Sequence, residues 1–334
     1  MRKALSESPS GAGGVARDDV LSTLLSTIRL SASLQFCFMP RGDWQTGAQA
    51  MLASARVDSA GAMPFHIVVD GRCWVKMDTG SIALEAGDVL AFPFDAGHQL
   101  GAGTGGRLVA PLHDLPPRPW REVPVLRYEG DGPQVRLICG YLQCQVLCFA
   151  PLRRALPAFI LVRTRGANDG DWLRATIRQM VAEIDMPRAG GISMLPRLTE
   201  IILIEILRHQ IMTAVPGAVG WLAALADPAL SRCLSLIHDD PQREWTLDAL
   251  AAASGMSRSA LADRFQMFLE TSPMRYVREW RLYLASVALS TTDQAIAAVA
   301  YDAGYATEAA FNRAFTRAFG KPPAAWRIAA RGAS

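Results

Sequence analysis

Hydrophobic and polar positions alternate in two different ways along the chain, and the first way predicts strands. Between residues 62 and 93, short apolar runs are separated by Asp-Gly and Gly-Asp turns, which indicates antiparallel strands of a barrel or sandwich. Strand texture returns further on, so the predicted strands are 64–69, 73–77, 81–84, 89–93 and about 134–149. Ahead of them, Asp18 can cap a helix whose apolar face runs from Leu21 to Ile28.

From residue 151 onward the hydrophobic spacing is helical and stays so. Residues 171–184 and 198–212 predict two helices. The second is apolar almost all round, from Ile201 to Ile211, so it is either buried within its own domain or shared with a second subunit. Both alternatives stay open. The pattern divides the chain into a disordered leader (1–16), a β-rich domain (17–150), a helical dimerisation segment (151–215), a linker (216–228) and a final helical domain (229–331).

The final helical domain contains one unit twice. Residues 250–256 match residues 299–305 at a shift of 49, and one inserted residue then moves the shift to 50. Each copy has a first helix, a glycine that permits a left-handed turn, a Ser or Thr that can cap the next helix, and a second helix with large apolar residues on its inner side. The predicted helix-turn-helix units are 247–268 and 295–319.

The second helix of each copy carries small, amide and arginine side chains on its outer side. A short helix whose inner side is anchored and whose outer side is of this kind is what a DNA major groove admits. Residues 274–289 predict one long helix between the copies, about 24 Å in length. Such a helix could hold the two recognition helices at a separation close to the helical repeat of B-DNA, which is roughly 34 Å. One chain is therefore predicted to read two successive major grooves.

The run from Gly304 to Arg327 resembles the signature of AraC-type transcription regulators, and residues 245–277 fit the first half of the same domain. Upstream, several short motifs resemble the cupin-type sensor domain that precedes this DNA-binding domain in one subgroup: Pro64-Phe65-His66, Trp74, Gly87-Asp88-Val89-Leu90, Pro93 and His98. The resemblance implies an α+β protein with an N-terminal cupin-like β-barrel and flanking helices, followed by an all-α double helix-turn-helix domain. It implies a DNA-binding transcription regulator and not an enzyme.

Carried over position by position, the resemblance implies residues that face DNA bases in each recognition helix. They are Ser259, Ala262 and Asp263 in the first, and Glu308, Ala309, Asn312 and Arg313 in the second. The first set departs from the family, which often has an amide or Arg where this chain has Ala262 and Asp263. Asp263 could accept from a cytosine amino group or pair with Arg264 or Arg258 at the surface. We expect the pairing, and we expect the second unit to contribute more direct readout.

Charge changes the picture only locally. The net charge is +3, and it is spread evenly, with +2 in residues 1–226 and +1 in residues 227–334, so bulk charge does not indicate nucleic acid. Between residues 311 and 334, however, there are five basic residues and no acidic one. This local group of basic residues indicates phosphate binding more strongly than the net charge does. The phosphate-contact candidates are Arg258, Thr307, Arg317, Lys321 and Arg327.

The histidines of the β-rich domain raise a metal hypothesis. A metal-binding cupin gathers three His and a Glu inside its barrel, whereas here Val68 stands where a second His would follow His66, and no suitable Glu follows. We therefore expect no metal and no cofactor. His66, Trp74 and His98 are instead candidates for an effector pocket, with the imidazoles neutral and hydrogen-bonded. A metal-dependent cupin oxygenase with a helical accessory module stays as the alternative function.

The remaining expectations concern location and partners. Six cysteines without a secretory signal favour free thiols, and no stretch is apolar enough to span a membrane, so the protein is expected in the cytoplasm. The expected partners are double-stranded DNA, a second copy of the chain, RNA polymerase if the protein is an activator, and a small-molecule effector of unknown identity. A regulator that senses nothing and dimerises constitutively through residues 170–212 is a further alternative.

Overall fold

The structure is a computed structural model that describes residues 30–47, 62–94, 96–165, 171–212 and 220–332. The predicted leader and the predicted helix near Asp18 lie outside these residues. Within them, two β-sheets are followed by helices, so the predicted α+β architecture is confirmed. The strands are β1 (Leu30–Pro40), β2 (Trp44–Gly47), β3 (Ala62–Asp70), β4 (Arg72–Met77), β5 (Gly80–Glu85), β6 (Asp88–Ala91), β7 (Gln99–Ala102), β8 (Arg107–Leu108), β9 (Val125–Tyr128), β10 (Arg136–Cys144) and β11 (Ile160–Arg163).

The two sheets face each other across one hydrophobic core. The larger sheet has the order β11-β6-β3-β10-β1-β9 and the smaller one has the order β5-β4-β7-β2-β8. Seven consecutive residues of β3 are buried because both faces of the larger sheet are covered. His66 and Val68 face the smaller sheet, whereas Phe65 and Ile67 face the helices on the other side. The larger sheet is thus a wall between two cores.

Helices make up most of the rest of the described chain. None of the helices in these ranges is long and apolar enough to cross a membrane. The α-helices are α1 (Ala150–Ala155), α2 (Asp171–Asp185), α3 (Gly191–Met212), α4 (Trp221–Ala226), α5 (Pro228–Asp239), α6 (Leu247–Ser254), α7 (Arg258–Leu269), α8 (Pro273–Thr291), α9 (Ile296–Asp302), α10 (Glu308–Phe319) and α11 (Pro323–Gly332).

Two expectations about residues 151–228 are wrong. The chain does not stay helical after residue 151, because Ile160–Arg163 forms the edge strand β11, whose Ile160 pairs with Ala91 of β6. The predicted linker 216–228 is not all linker either. Residues Trp221–Ala226 form helix α4, and the Trp221 side chain is fully buried. A buried tryptophan anchors this segment in the core, although flanking Gly and Pro residues gave it the sequence texture of a linker.

Helix α3 lies on the outer face of the larger sheet. It begins at Gly191, seven residues before its predicted start. The prediction began too late because Pro196, which lies in the second turn of the helix, is a residue that usually marks a helix boundary. Five of its apolar residues are buried within the chain: Leu195, Ile202, Leu203, Ile206 and Leu207. Thr199 on the same side accepts a hydrogen bond from Gln35 of β1. Burial within the domain therefore accounts for this apolar face, and sharing with a second subunit stays a prediction.

Phe149 joins the β domain to the first helix-turn-helix unit. It follows β10 through one 3₁₀ turn (Gln145–Cys148), and its side chain has no exposed surface. Its ring lies 5.2–6.3 Å from five aromatic rings of helices α4, α5 and α8, in edge-on or tilted arrangements. We call this group the aromatic cluster; its members are Phe149, Trp221, His238, Tyr276, Trp280 and Tyr283.

Hydrogen bonds fix the aromatic cluster internally. The indole N–H of Trp221 donates to Tyr276 Oη at 2.8 Å, and the same hydroxyl is hydrogen-bonded to Nε2 of His238, also at 2.8 Å. Burial lowers the pKa of His238 to about 3, which keeps the imidazole neutral. The second unit has a largely separate core around Phe311 and Phe315. The β domain and the first unit therefore share a core in which the second unit takes little part.

Replacing Phe149 by Ala should lower the free energy of unfolding by about 3–5 kcal/mol, because it opens a cavity at the centre of the aromatic cluster. In calorimetry of the full-length Phe149→Ala variant, helices α4–α8 should unfold at a lower temperature than the β-sheets. Phe159→Ala, which removes a half-buried ring that packs against the inner core of the β domain, is the matched control. Equal losses in the two variants would contradict the joining role of Phe149.

Candidate nucleic-acid interface and sensor interior

The first helix-turn-helix unit has the predicted local signals. Thr246 caps α6 by accepting from the Ala249 amide at 3.1 Å, and Gly255 at φ +69° makes the left-handed turn that ends α6. Ser257 then caps α7 by accepting from the Ala260 amide at 3.2 Å. The inner side of α7 is buried through Leu261, Phe265 and Leu269, while Ser259, Ala262 and Asp263 lie on its outer side.

The second unit repeats this geometry. Thr307 caps α10 by accepting from the Ala310 amide at 3.2 Å, and Phe311 and Phe315 bury its inner side. Its outer side presents Glu308, Ala309 and Arg313 as exposed residues, with Asn312 half-buried beside them. The Asn312 amide donates to the Glu308 carbonyl at 3.1 Å, which orients it along the helix. Both recognition helices therefore offer the predicted side chains to an external partner.

Helix α8 connects the two units. At its start it holds Tyr276 and Trp280 in the aromatic cluster, and at its end Leu289 enters the core of the second unit. Trp326 of α11 donates from its indole N–H to the Ser286 carbonyl at 3.2 Å, and to the Ser290 hydroxyl at 3.1 Å. Because α8 is one uninterrupted helix with a core at each end, it sets the separation of the two recognition helices.

A chain of hydrogen bonds occupies the interior of the β domain. His98 Nδ1 donates to the Ala96 carbonyl at 2.8 Å, so in a neutral ring its Nε2 is the acceptor for His66 Nε2–H at 2.7 Å. His66 Nδ1 then accepts from the Cys139 thiol at 3.2 Å. Burial lowers the pKa of His98 to about 4 and holds that of His66 well below its ordinary value. Burial likewise raises the pKa of Cys139, so all three groups are neutral.

Comparison with known proteins assigns the family. A family model described as Cupin matches residues 19–212, and one described as Helix-turn-helix domain matches residues 250–329. A Streptomyces lividans protein named as an AraC-like transcription regulator is 30% identical over 320 residues, which cover 93% of this chain and 97% of that protein. The chain belongs to the AraC-type transcription regulators.

Two further proteins are similar to this AraC-type regulator. The regulator AlkR of Acinetobacter baylyi is 27% identical over 316 residues, covering 92% of this chain and 99% of AlkR. A solved AraC-type DNA-binding-domain protein of Chromobacterium violaceum is 26% identical, with a TM-score of 0.32, covering 32% of this chain and 96% of that one. The similarity to the Streptomyces lividans protein and to AlkR extends over both domains of this chain.

The phosphate-contact candidates of this AraC-type regulator have different surroundings. Arg317 is exposed in the last turn of α10, and Lys321 lies half-buried just after it. Arg258 pairs with Asp248 at 2.8 Å, and the Thr307 hydroxyl accepts the capping hydrogen bond while keeping its own proton to donate. Arg327 donates to the carbonyls of Leu289 and Gln294 at 3.3 and 2.5 Å, at the end of α8. Its guanidinium is therefore partly used inside the second unit, and its role as a phosphate contact stays a prediction.

Two site expectations are wrong. Asp263 does not pair with Arg264 or Arg258, because Arg264 pairs with Asp227 and Arg258 with Asp248. Its carboxylate stays exposed on the recognition helix. Trp74 does not line the interior of the β domain. It alternates on β4 with the inward residues Cys73 and Val75, so its indole lies outside, over the Gly101 backbone, and donates to the Gly103 carbonyl at 3.1 Å.

His98, in contrast, borders an opening to the outside. A cleft of about 250 Å³ at the end of the β domain is lined by His98, Lys76, Met77 and Asp78, among others. His66 lies behind His98, and Cys139 lies behind His66. The sequence did not point to Cys139 as a partner of His66, because the two meet only through the long-range pairing of β3 with β10.

The residues present do not suit the metal centre of a cupin oxygenase. Both imidazoles use their Nε2 atoms in the bond to each other, so His98 has no lone pair left for a metal in this arrangement. Across the described ranges, no group of three or more His, Cys, Asp or Glu side chains is placed to hold a metal ion. A catalytic metal site needs at least three such ligands and an open position.

The neutral histidines of this AraC-type regulator predict a dependence of stability on pH. The unfolded chain protonates His98 near pH 6.5, whereas the folded chain does so only near pH 4. Between these values the unfolded state binds more protons, so stability should fall as the pH falls, by about 1.4 kcal/mol per pH unit for this group.

Urea unfolding at pH 7, 6 and 5 measures this slope. His98→Gln keeps an acceptor for His66 and a donor for Ala96 but does not titrate, so its slope should be shallower by that amount. An unchanged slope in His98→Gln would show that the His98 ring is not held neutral.

Proposed function

We propose that this AraC-type regulator binds double-stranded DNA with α7 and α10 in two successive major grooves. The observation that carries the proposal is the pair of capped helices, each with a buried inner side and a polar outer side, connected by the single helix α8. A helix in the major groove reads base edges through its outer side chains, and nearby cations bind phosphates.

The proposal assigns different tasks to the two recognition helices. In α10, Arg313 suits a guanine and Asn312 an adenine, with Glu308 and Ala309 at the end that enters the groove. In α7, Ser259 and Ala262 are short, and Asp263 without an arginine partner can accept from a cytosine amino group. Most direct readout is therefore assigned to α10. Arg317 and Lys321 carry the phosphate contacts of the second unit, and Arg258 carries one in the first.

The cupin domain is assigned the sensing role. The cleft beside His98 is the proposed effector site, because it is concave, opens outward and ends on hydrogen-bonding groups of the interior. An effector with different affinities for two arrangements of this domain would change how the first unit is presented. The protein acts in the cytoplasm as a homodimer, with RNA polymerase as partner if it activates. A regulatory rather than an enzymatic role is proposed because relatives that align over more than nine-tenths of the chain are named as transcription regulators.

Replacing Arg313 by Ala should weaken specific DNA binding by about 1–3 kcal/mol and relax the preference at one base position. Selection of bound sequences from a random DNA pool gives the site, and gel-shift titration with that site and its single-base variants gives the affinities. Arg232→Ala, an exposed arginine on α5, is the matched control. Unchanged affinity and unchanged sequence preference in Arg313→Ala would mean that α10 does not enter a major groove.

Arg317 and Arg327 should respond differently to the same substitution. Arg317→Gln should lower the slope of log affinity against log salt by about 1 without changing base preference, because one phosphate contact is lost. Arg327→Gln should instead lower the thermal midpoint of the second unit, since it leaves the Leu289 and Gln294 carbonyls without their donor. If Arg327→Gln reduced the salt slope at unchanged stability, its assignment as an internal residue would be wrong.

A further inference from the structure

A second cleft lies on the outer face of the larger sheet, between the sheet and helix α3. It has a volume of about 280 Å³ and is bordered by Gln35 of β1, by the segment 118–123 that leads to β9, and by the first residues of α3. It is distinct from the cleft beside His98, because Gln35 points to the same side of β1 as Cys37, away from the interior that holds His66. Nothing in the proposed DNA-binding function uses it.

Gln35, which borders this cleft, has an unused hydrogen-bond acceptor. Thr199 donates its hydroxyl proton to the Leu195 carbonyl at 2.7 Å, so Gln35 must use its Nε2 to donate to Thr199. That leaves Oε1 as a buried acceptor to which no donor of the described residues bonds, in a side chain that is only 7% exposed. Buried amide oxygens are rarely left in this state. An N–H or O–H donor of a bound molecule would satisfy this acceptor.

The rest of the cleft combines an apolar wall with one cation. Its apolar lining consists of Pro119, Trp120, Val123, Ile192, Leu195 and Pro196, of which Ile192 is 47% exposed. The Arg118 guanidinium lies over the Trp120 ring at 4.9 Å and is exposed at the opening. Its planar fork suits a carboxylate. Glu122 also borders the cleft, which disfavours a ligand with a second negative charge.

We propose that this cleft binds a small aromatic monocarboxylate that carries a hydroxyl or amino group at the end opposite its carboxylate. The carboxylate pairs with Arg118, the ring packs against Trp120, Ile192 and Leu195, and the donor group bonds to Gln35 Oε1. The volume lies near the lower end of the range of ligand pockets, roughly 300–1,000 Å³, so the ligand is a single-ring molecule. Such a ligand would touch β1, the segment 118–123 and α3 together, and would stabilise the docking of α3 on the sheet.

Three probes test the recognition pattern by calorimetric titration of the full-length protein. Para-hydroxyphenylacetate has the ring, the carboxylate and the donor, phenylacetate lacks the donor, and tyrosol lacks the carboxylate. We expect saturable binding of para-hydroxyphenylacetate, with each of the other two at least fivefold weaker. The bound probe should also slow hydrogen exchange at the start of α3. Failure of para-hydroxyphenylacetate to bind at millimolar concentration, or equal binding of all three probes, would overturn the proposal.

Variants locate the site. Arg118→Gln should weaken para-hydroxyphenylacetate about tenfold and leave tyrosol unchanged, whereas Gln35→Leu should remove the difference between para-hydroxyphenylacetate and phenylacetate. Arg121→Gln, an exposed neighbour outside the cleft lining, is the control for charge. If both test variants bind the three probes with unchanged affinities, the probes bind at another site, for example beside His98, and the proposal is overturned. DNA binding measured on the same samples reports on the proposed function separately, since none of these residues lies on a recognition helix.

Discussion

The burial of Phe149 among the aromatic rings of α4, α5 and α8 is the constraint on which the arrangement of the two domains depends. Protein interiors are packed as densely as organic crystals, so a ring enclosed on all sides cannot move without its neighbours. Phe149 comes one short turn after β10, the strand between β1 and β3 in the larger sheet. The first helix-turn-helix unit is therefore positioned by the sheet, whereas the second is positioned by α8.

The same strand also carries the chemistry of the sensor interior. Cys139 on β10 donates to His66, which in turn donates to His98 at the outer cleft. A ligand that displaced the His98 ring would change hydrogen bonds on the strand that ends near Phe149. Neutral groups suit such a chain, because each bond has one defined donor and the pair of imidazoles carries no charge in a buried site. The proposed effector cleft and the first helix-turn-helix unit are thus connected by contiguous contacts among the described residues.

Local signals made the DNA-binding region predictable, whereas long-range contacts made parts of the rest unpredictable. Gly255, Ser257 and Thr307 act within one turn of their own position, so both helix-turn-helix units follow from sequence. Strand β11 and helix α4 were missed because their stability comes from pairing with β6 and from burial of Trp221. The internal role of Arg327 and the outward direction of Trp74 likewise depend on partners far along the chain.

Native-state hydrogen exchange of the full-length protein tests most directly the claim that the sheet and the first helix-turn-helix unit form one body. As denaturant is raised in small steps, the slowest amides of β10 and of the first half of α8 should converge on one opening free energy, with those of α10 opening at a lower one. Amides of α8 that open together with α10, well before β10, would contradict the claim.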